Sequence, residues 1–246
     1  MIRDILTMLW KEWNEIFLQR GTLRGGVLSS LVIPILILGV FLPWQGGPAW
    51  VKSATVPVTW IWLPLFLVTT MISDSFAGER ERKTLEALLA SRLSDRAILF
   101  GKIASAVSYG WGLTLTSLAL GLVTVNLLHG RGRLLMYPAN TVALIVGISF
   151  LGSALAASAG VLVSLRAATV RQAQQTLSIA LLMVFFGLLF GVQALPAEWK
   201  VRLLKEFAGP NLVRTELIAG AVLAVIDGVL LRAAMARFQR ARLILD

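Results

Sequence analysis

Apolar residues in this chain come as long unbroken runs rather than in alternation. Between Arg24 and Lys52 stand 27 uncharged residues, and between Lys52 and Asp74 another 21. Lys102 to Arg131 encloses 28, Arg133 to Arg166 encloses 32, and Arg171 to Glu198 encloses 26. A helix crosses a bilayer with about 20 mostly apolar residues. Each interval can hold one span. A sixth run, 212–231, is long enough but is interrupted by Arg214, Glu216 and Asp227. The pattern predicts an all-α, polytopic membrane protein, one transmembrane domain over 1–246. Its six helices are expected at 26–42, 57–76, 103–128, 140–165, 176–195 and 212–231.

Two segments have a different period. Over 1–22, Ile2, Ile5, Leu6, Leu9, Trp13, Ile16 and Phe17 recur three and four residues apart, on one helical face. Arg3, Asp4, Lys11, Glu12 and Glu15 take the other face. This is the pattern of a helix lying in the membrane interface, with Trp10 and Trp13 near the headgroups. Residues 196–207 repeat it more briefly, with Trp199, Leu203, Leu204 and Phe207 against Glu198, Lys200, Arg202 and Lys205. Between the first two spans, "PWQGGPAW" reads as a turn. The fourth span contains "GSALAASAG", small residues that let helices approach closely.

The stretch 79–96 breaks the apolar pattern most sharply. It holds nine charges: Glu79, Arg80, Glu81, Arg82, Lys83, Glu86, Arg92, Asp95 and Arg96. At roughly 2.5–3.5 kcal/mol each, burying them in hydrocarbon would cost more than about 20 kcal/mol. The segment therefore lies outside the bilayer. Residues 79–90 contain good helix formers and no Gly or Pro, and Leu85, Leu88 and Leu89 form a compact apolar face. Ser94 is placed to cap the helix that rises into the third span. The residues alone leave two readings open: a docking face for a protein partner, or a solvated loop helix.

Charge distribution then orients the chain. Lys and Arg number 23 against 13 Asp and Glu, a net charge of +10. With the N-terminus inside, 16 of the basic residues fall on inner segments and seven on outer ones. The positive-inside rule thus places both termini in the cytoplasm of a cell inner (plasma) membrane protein. Contact with anionic membrane lipid accounts for the excess charge, and no nucleic-acid partner is expected. The segment 79–96 itself carries five positive and four negative charges, a poor counter-ion sink for phosphates. There are no cysteines, which removes thiolate metal sites and cysteine nucleophiles. No signal-peptide pattern is expected in the first 24 residues. "GK" at Gly101 and Lys102 is not the end of a P-loop. Arg96 stands where its first glycine belongs, and Ile103 where Ser or Thr belongs.

The charged stretch, "FAGERERKTLEALLASRLSDRAILFGK", resembles the cytoplasmic segment between spans two and three of type-2 (ABC-2) ABC exporter permeases. Thr84-Leu85-Glu86, Leu88-Leu89 and Gly101-Lys102 carry the resemblance, in that order. Lys83 stands where the family usually has glycine, and Leu93 where it usually has proline. The interfacial helix, six spans and outer helix extend the likeness over most of the chain. The resemblance implies that 79–93 is a coupling helix seated on a separate ATPase subunit. Its contacting residues would be Glu79, Arg80, Glu81, Arg82, Thr84, Leu85, Glu86, Leu88 and Leu89. ATP and Mg would be bound by that ATPase and no cofactor by this chain. A second permease copy or a related permease would complete the path, with spans one and five in contact. The rival expectation is a multipass scaffold or assembly factor without transport activity.

Other polar residues carry weaker signals. Asp227 is the best candidate for an intramembrane polar site, although Arg232 one turn away offers it a partner. Asp74, at the inner end of span two, is similar. His129 is expected in a solvated loop, and Tyr109 and Trp111 as packing groups. Thr69, Thr70, Thr114, Thr116 and Ser117 offer polar surface without specificity. No paired carboxylates, metal cluster or Ser/His/Asp set points to catalysis, so no enzyme activity is expected of this chain.

Overall fold

The computed structural model describes residues 1–15, 32–52, 56–208 and 212–238, and among them every regular element is helical. The expected positions 16–22 of the interfacial helix, 26–31 of the first span and the basic tail after 238 lie outside the described residues. So do the side chains of Trp60, Leu203, Leu204, Lys205, Phe207 and Glu216.

Among the described residues, four helices are long and apolar enough to cross a membrane: α7 (Asp95–His129), α8 (Ala139–Ser164), α9 (Val170–Ala194) and α11, whose apolar part is Leu217–Arg237 of Leu212–Arg237. α5 (Val56–Glu81) has 26 residues, but its last eight carry Asp74, Glu79, Arg80 and Glu81. The described part of the first expected span, 32–42, falls almost wholly within the apolar helix Ile33–Gly46, which runs four residues past its expected end. That helix consists of α2 (Ile33–Leu36), a π-helical turn (Ile37–Phe41) and α3 (Leu42–Gly46). α1 (Ile2–Asn14) precedes it, α4 (Pro48–Lys52) follows, α6 (Leu85–Leu89) links α5 to α7, and α10 (Ala197–Ala208) links α9 to α11.

The turn expected at "PWQGGPAW" is instead helical on both sides of a hinge. Gly47 sits at φ +52°, and α3 ends and α4 begins around it. Pro43 has no N–H to offer the Gly39 carbonyl in the preceding turn. The Thr124 hydroxyl of α7 donates to that carbonyl at 2.8 Å. A neighbouring helix thus satisfies the group that proline and the π-turn leave free. His129, expected in solvent, is the last residue of α7 and half-buried. A Cβ added to Gly47 would lie 3.4 Å from its ring.

The core lies where α5, α7 and α8 meet. α5 contributes Val68, Ile72 and Phe76, α7 contributes Ile98 and Leu99, and α8 contributes Val161, all essentially fully buried. The small residues of α8 face α5: at Gly160, an added Cβ would lie 2.1 Å from Ile72 Cγ2, so only glycine allows this approach. Polar contacts also join the helices. The Ser164 hydroxyl of α8 accepts from the backbone N–H groups of Phe76 and Ala77 and donates to the carbonyl of Ser73, all on α5. Trp111 Nε1 of α7 donates to the Val146 carbonyl of α8 at 3.1 Å. Tyr109 is buried, as its packing role requires.

α9 and α11 are peripheral. α9 packs on α5 and α8 but leaves Met183, Leu188 and Phe190 exposed, while α11 packs on α8. α8 and α11 run parallel. The end of α8 is tied to Arg80 of α5, and Phe238 just after α11 packs on Phe76 of α5 at 5.2 Å between ring centres.

Candidate functional site

The stretch expected to be one helix over 79–90 is two elements with a sharp break. α5 continues to Glu81, Lys83 adopts a left-handed φ of +56°, and α6 is only Leu85–Leu89. The Thr84 N–H donates to the Glu79 carbonyl at 2.9 Å, and the Lys83 N–H to the Arg80 carbonyl at 3.1 Å. This pair of bonds is the Schellman ending of a helix, which places a left-handed residue just past the last turn. Glycine is favoured there because it has no Cβ. Lys83 occupies the position where glycine is usual in the resembling segments, and it takes the backbone conformation a glycine would. Helix propensity over 79–90 missed the break because nothing in the local composition announces it.

The charges at the end of α5 then serve four different ends. Arg80 donates to the carbonyls of Ala167 and Leu165, the orphan acceptors at the end of α8. A cation there also complements the helix dipole. Glu81 accepts from the Val170 N–H at 2.9 Å, a carboxylate at the N-terminus of α9. Arg82 pairs with Asp74 at 3.0 Å, so Asp74 is a structural partner. Glu79 turns inward.

Glu79 is 3% exposed, which corrects the expectation that it faces a partner protein. Its Oε1 accepts from Lys11 Nζ of α1 at 2.6 Å and from Lys102 Nζ of α7 at 3.4 Å. Its Oε2 accepts from the Thr84 hydroxyl. Lys102 is 1% exposed, donates to Glu12 of α1 at 2.7 Å, and lies 5.4 Å from the centre of the Phe76 ring. Lys11 also pairs with Glu15 at 2.8 Å. Burial opposes the charge on Glu79, but Lys102, Lys11 and Thr84 prevail and hold its carboxyl down at about 2. Burial likewise opposes the charge on Lys11, and its acidic neighbours raise it above the ordinary lysine value. Carboxylate oxygens of Glu12, Glu15 and Glu79 come within 4.8 Å of one another. Two ammonium groups bond to them, so the cluster is an ion-pair network rather than a metal centre.

This network docks α1 on α7. The side of α1 expected to be solvated, carrying Lys11 and Glu12, faces the start of α7. Met8 and Glu12 are buried, and Trp13 Nε1 donates to Ser108 at 3.1 Å. Gly101 makes room, since a Cβ there would lie 2.5 Å from Met8 Cβ. Ile2, Leu6 and Trp10 remain exposed as an apolar strip. The clue in the sequence was Lys102: a lysine inside a span-proximal helix needs a buried counter-charge.

Of the remaining expected contact residues, Leu85 and Leu89 are buried in the core. Leu88 is half-buried, while Lys83, Thr84, Glu86 and Arg92 are exposed. Ser94 caps α7 as expected, accepting from the Ala97 N–H at 3.3 Å. The hydroxyls of Thr69, Thr70, Thr114 and Thr116 donate to carbonyls three or four residues back in their own helices. They are therefore not a free polar surface. Asp227 is buried, and neither Arg232 nor any other described residue hydrogen-bonds it, which corrects the expected pairing.

The ends of α1, α7, α8 and α9 are thus tied to the end of α5, immediately before the short helix α6. Two comparisons bear on this arrangement. Residues 47–207 match the family described as "ABC-2 family transporter protein". The ABC transporter permease protein NatB of Bacillus subtilis (strain 168) is 25% identical over 200 residues, covering 76% of this chain and 49% of NatB. The chain therefore spans about half the length of that curated relative. The family match covers α4 to α10, including the α5–α6–α7 junction, and well over half of the residues. The chain belongs to the ABC-2 family of transporters, as a multi-pass membrane permease.

Proposed function

We propose that this chain is the membrane subunit of an ATP-driven exporter, and that α6 with its flanking turns receives a separate ATPase subunit. The observation that carries this is the convergence on the last turn of α5, which leads directly into α6. Arg80 holds the end of α8, Glu81 the start of α9, and Glu79 the network joining α1 to α7. A push on α6 would pass into the end of α5 and from there, through these direct hydrogen bonds, to the ends of α1, α7, α8 and α9. Loop helices without such ties could not transmit it.

The contact surface is Lys83, Thr84, Glu86, Leu88 and Arg92, with Arg82 at its edge. Glu79, Leu85 and Leu89 position that surface from below. Exposed ion pairs contribute only about 0–1 kcal/mol each. The half-buried Leu88 is the apolar anchor. ATP and Mg bind on the partner chain. Six spans with both termini cytoplasmic fit the 16-to-7 distribution of basic residues. A second permease, a copy or a relative, completes the path, and the exposed apolar face of α9 is the surface it would cover. The family membership speaks against a scaffold without transport.

The test is photo-crosslinking in membranes where a candidate ABC ATPase subunit is co-expressed. A crosslinker at Glu86 should trap the ATPase, and one at Gly132 in the opposite loop should not. ATPase trapped from Gly132, or never from Glu86, Leu88 or Arg92, overturns the assignment.

A further inference from the structure

Among the buried polar groups of the membrane-spanning part that take no role in the contacts above, two belong to α8 and α11. Both carboxylate oxygens of Asp227 and the Ser158 hydroxyl are buried without a hydrogen-bond partner among the described residues. Asp227 is 5% exposed and Ser158 fully enclosed.

They lie on facing stripes of α8 and α11. Leu151 and Gly220 mark the contact: a Cβ on Gly220 would sit 3.8 Å from Leu151 Cδ1. Ser158 is seven residues beyond Leu151, and Asp227 seven beyond Gly220. Seven residues are two helical turns, which return to the same face. Because the helices run parallel, equal steps bring Ser158 and Asp227 to the same level of the seam. Around this contact the seam opens into a cavity of about 480 Å³. Ala143, Gly147 and Leu151 of α8 line it, with Leu217, Gly220 and Ala224 of α11. Ligand pockets run from about 300 to 1,000 Å³. Ala224, the last of these, is one turn from Asp227.

A buried carboxylate without a counter-charge is costly. Acids inside membrane helices pair with a cation or mark a site for one. Among the described residues no side chain supplies the cation, while an apolar cavity of ligand size lies in the same seam. We propose that the α8–α11 seam is a binding site for a lipophilic monovalent cation. Asp227 is its counter-ion, Ser158 a polar contact, and the cavity holds its apolar body. The site requires that the chain spans a membrane, but not that it exports or couples to an ATPase.

The test is equilibrium binding of tetraphenylphosphonium to the purified full chain in zwitterionic phospholipid nanodiscs. Tetraphenylborate, of the same shape and opposite charge, is the control for partition into lipid. Wild type should bind the cation saturably and the anion not at all. Asp227→Asn should weaken binding at least tenfold, and Ser158→Ala about threefold. Gly147→Leu should weaken it at least tenfold by filling the cavity, and a Cβ there meets nothing within 4 Å, so the fold tolerates it. No saturable binding to wild type overturns the proposal, as does unchanged affinity in a folded Asp227→Asn. Should Asp227→Asn fail to fold, Gly147→Leu decides: unchanged affinity there places the cation outside the seam and overturns the site.

Discussion

Lys102 of α7 donates to Glu12 of α1 at 2.7 Å, across 90 positions of sequence, at a site where the lysine is 1% exposed. The first helix is therefore not a free float on the membrane. It is locked to the base of α7 by a network that also contains Glu79, the last buried residue before the proposed ATPase-facing turn. Removing one member of a buried ion pair costs about 3–5 kcal/mol, because the other is left uncompensated. Lys102→Ala should destabilise the protein by that order. Hydrogen exchange should rise over residues 2–14. Adding Glu12→Gln should restore part of the loss, and no recovery in the double variant would argue against a direct pair.

Acid should open the same network. The Glu79 carboxyl is held at about 2, against 4.5 for an unperturbed glutamate. A depressed carboxyl contributes stability that is fully present above the unfolded value and lost as pH falls through the folded one. Wild type should therefore lose stability between about pH 4.5 and 2. Glu79→Gln should be less stable at pH 7, and its difference from wild type should shrink across that window. Thermal unfolding in detergent at pH 7, 4.5 and 3 measures this, and a constant difference would count against the assignment.

The left-handed Lys83 gives a backbone prediction. A side chain in this conformation costs roughly 1–2 kcal/mol relative to glycine. The greater freedom of glycine in the unfolded chain returns part of that. Lys83→Gly should leave stability unchanged or raise it by up to about 1 kcal/mol, with the ATPase still bound. Lys83→Val, branched at Cβ, should lower stability by more than 1 kcal/mol. Melting temperatures of the two variants, compared with wild type, decide it.

The architecture was legible in the sequence where a single physical rule governs it. The uncharged run between Arg133 and Arg166 contains α8, the amphipathic period over 196–207 overlaps α10, and Ser94 predicted the start of α7. The uses of the charges were not legible. Glu79, Arg80, Glu81 and Arg82 are consecutive, yet they serve a buried network, the end of α8, the start of α9 and Asp74. Their partners lie 68 to 89 positions away except for Asp74, Thr84 and Lys102. No local pattern encodes such pairings. The same holds for Leu85 and Leu89: the apolar spacing that marked a docking face equally marks a face buried in the chain itself, and only the break at Lys83 turned them inward.

Leu88 and Leu89 are adjacent, yet they should fail in different ways. Leu89 is 4% exposed and belongs to the core around α5 and α7. A charge placed there is buried without a partner, which is costly. Leu89→Asp should lower the yield of folded protein. Leu88 is half-buried and packs only partly on that core. Leu88→Asp should fold, retain its melting temperature within a few degrees, and lose ATPase binding. Glu86→Ala and Arg92→Ala should each weaken binding less than threefold, because exposed charges at a contact rim contribute little. Co-purification of the ATPase at matched expression, with melting of each variant measured alongside, separates the two failures. If Leu88→Asp held its ATPase while the two charge variants released it, recognition of α6 would be electrostatic, and the apolar anchor would lie elsewhere on the chain.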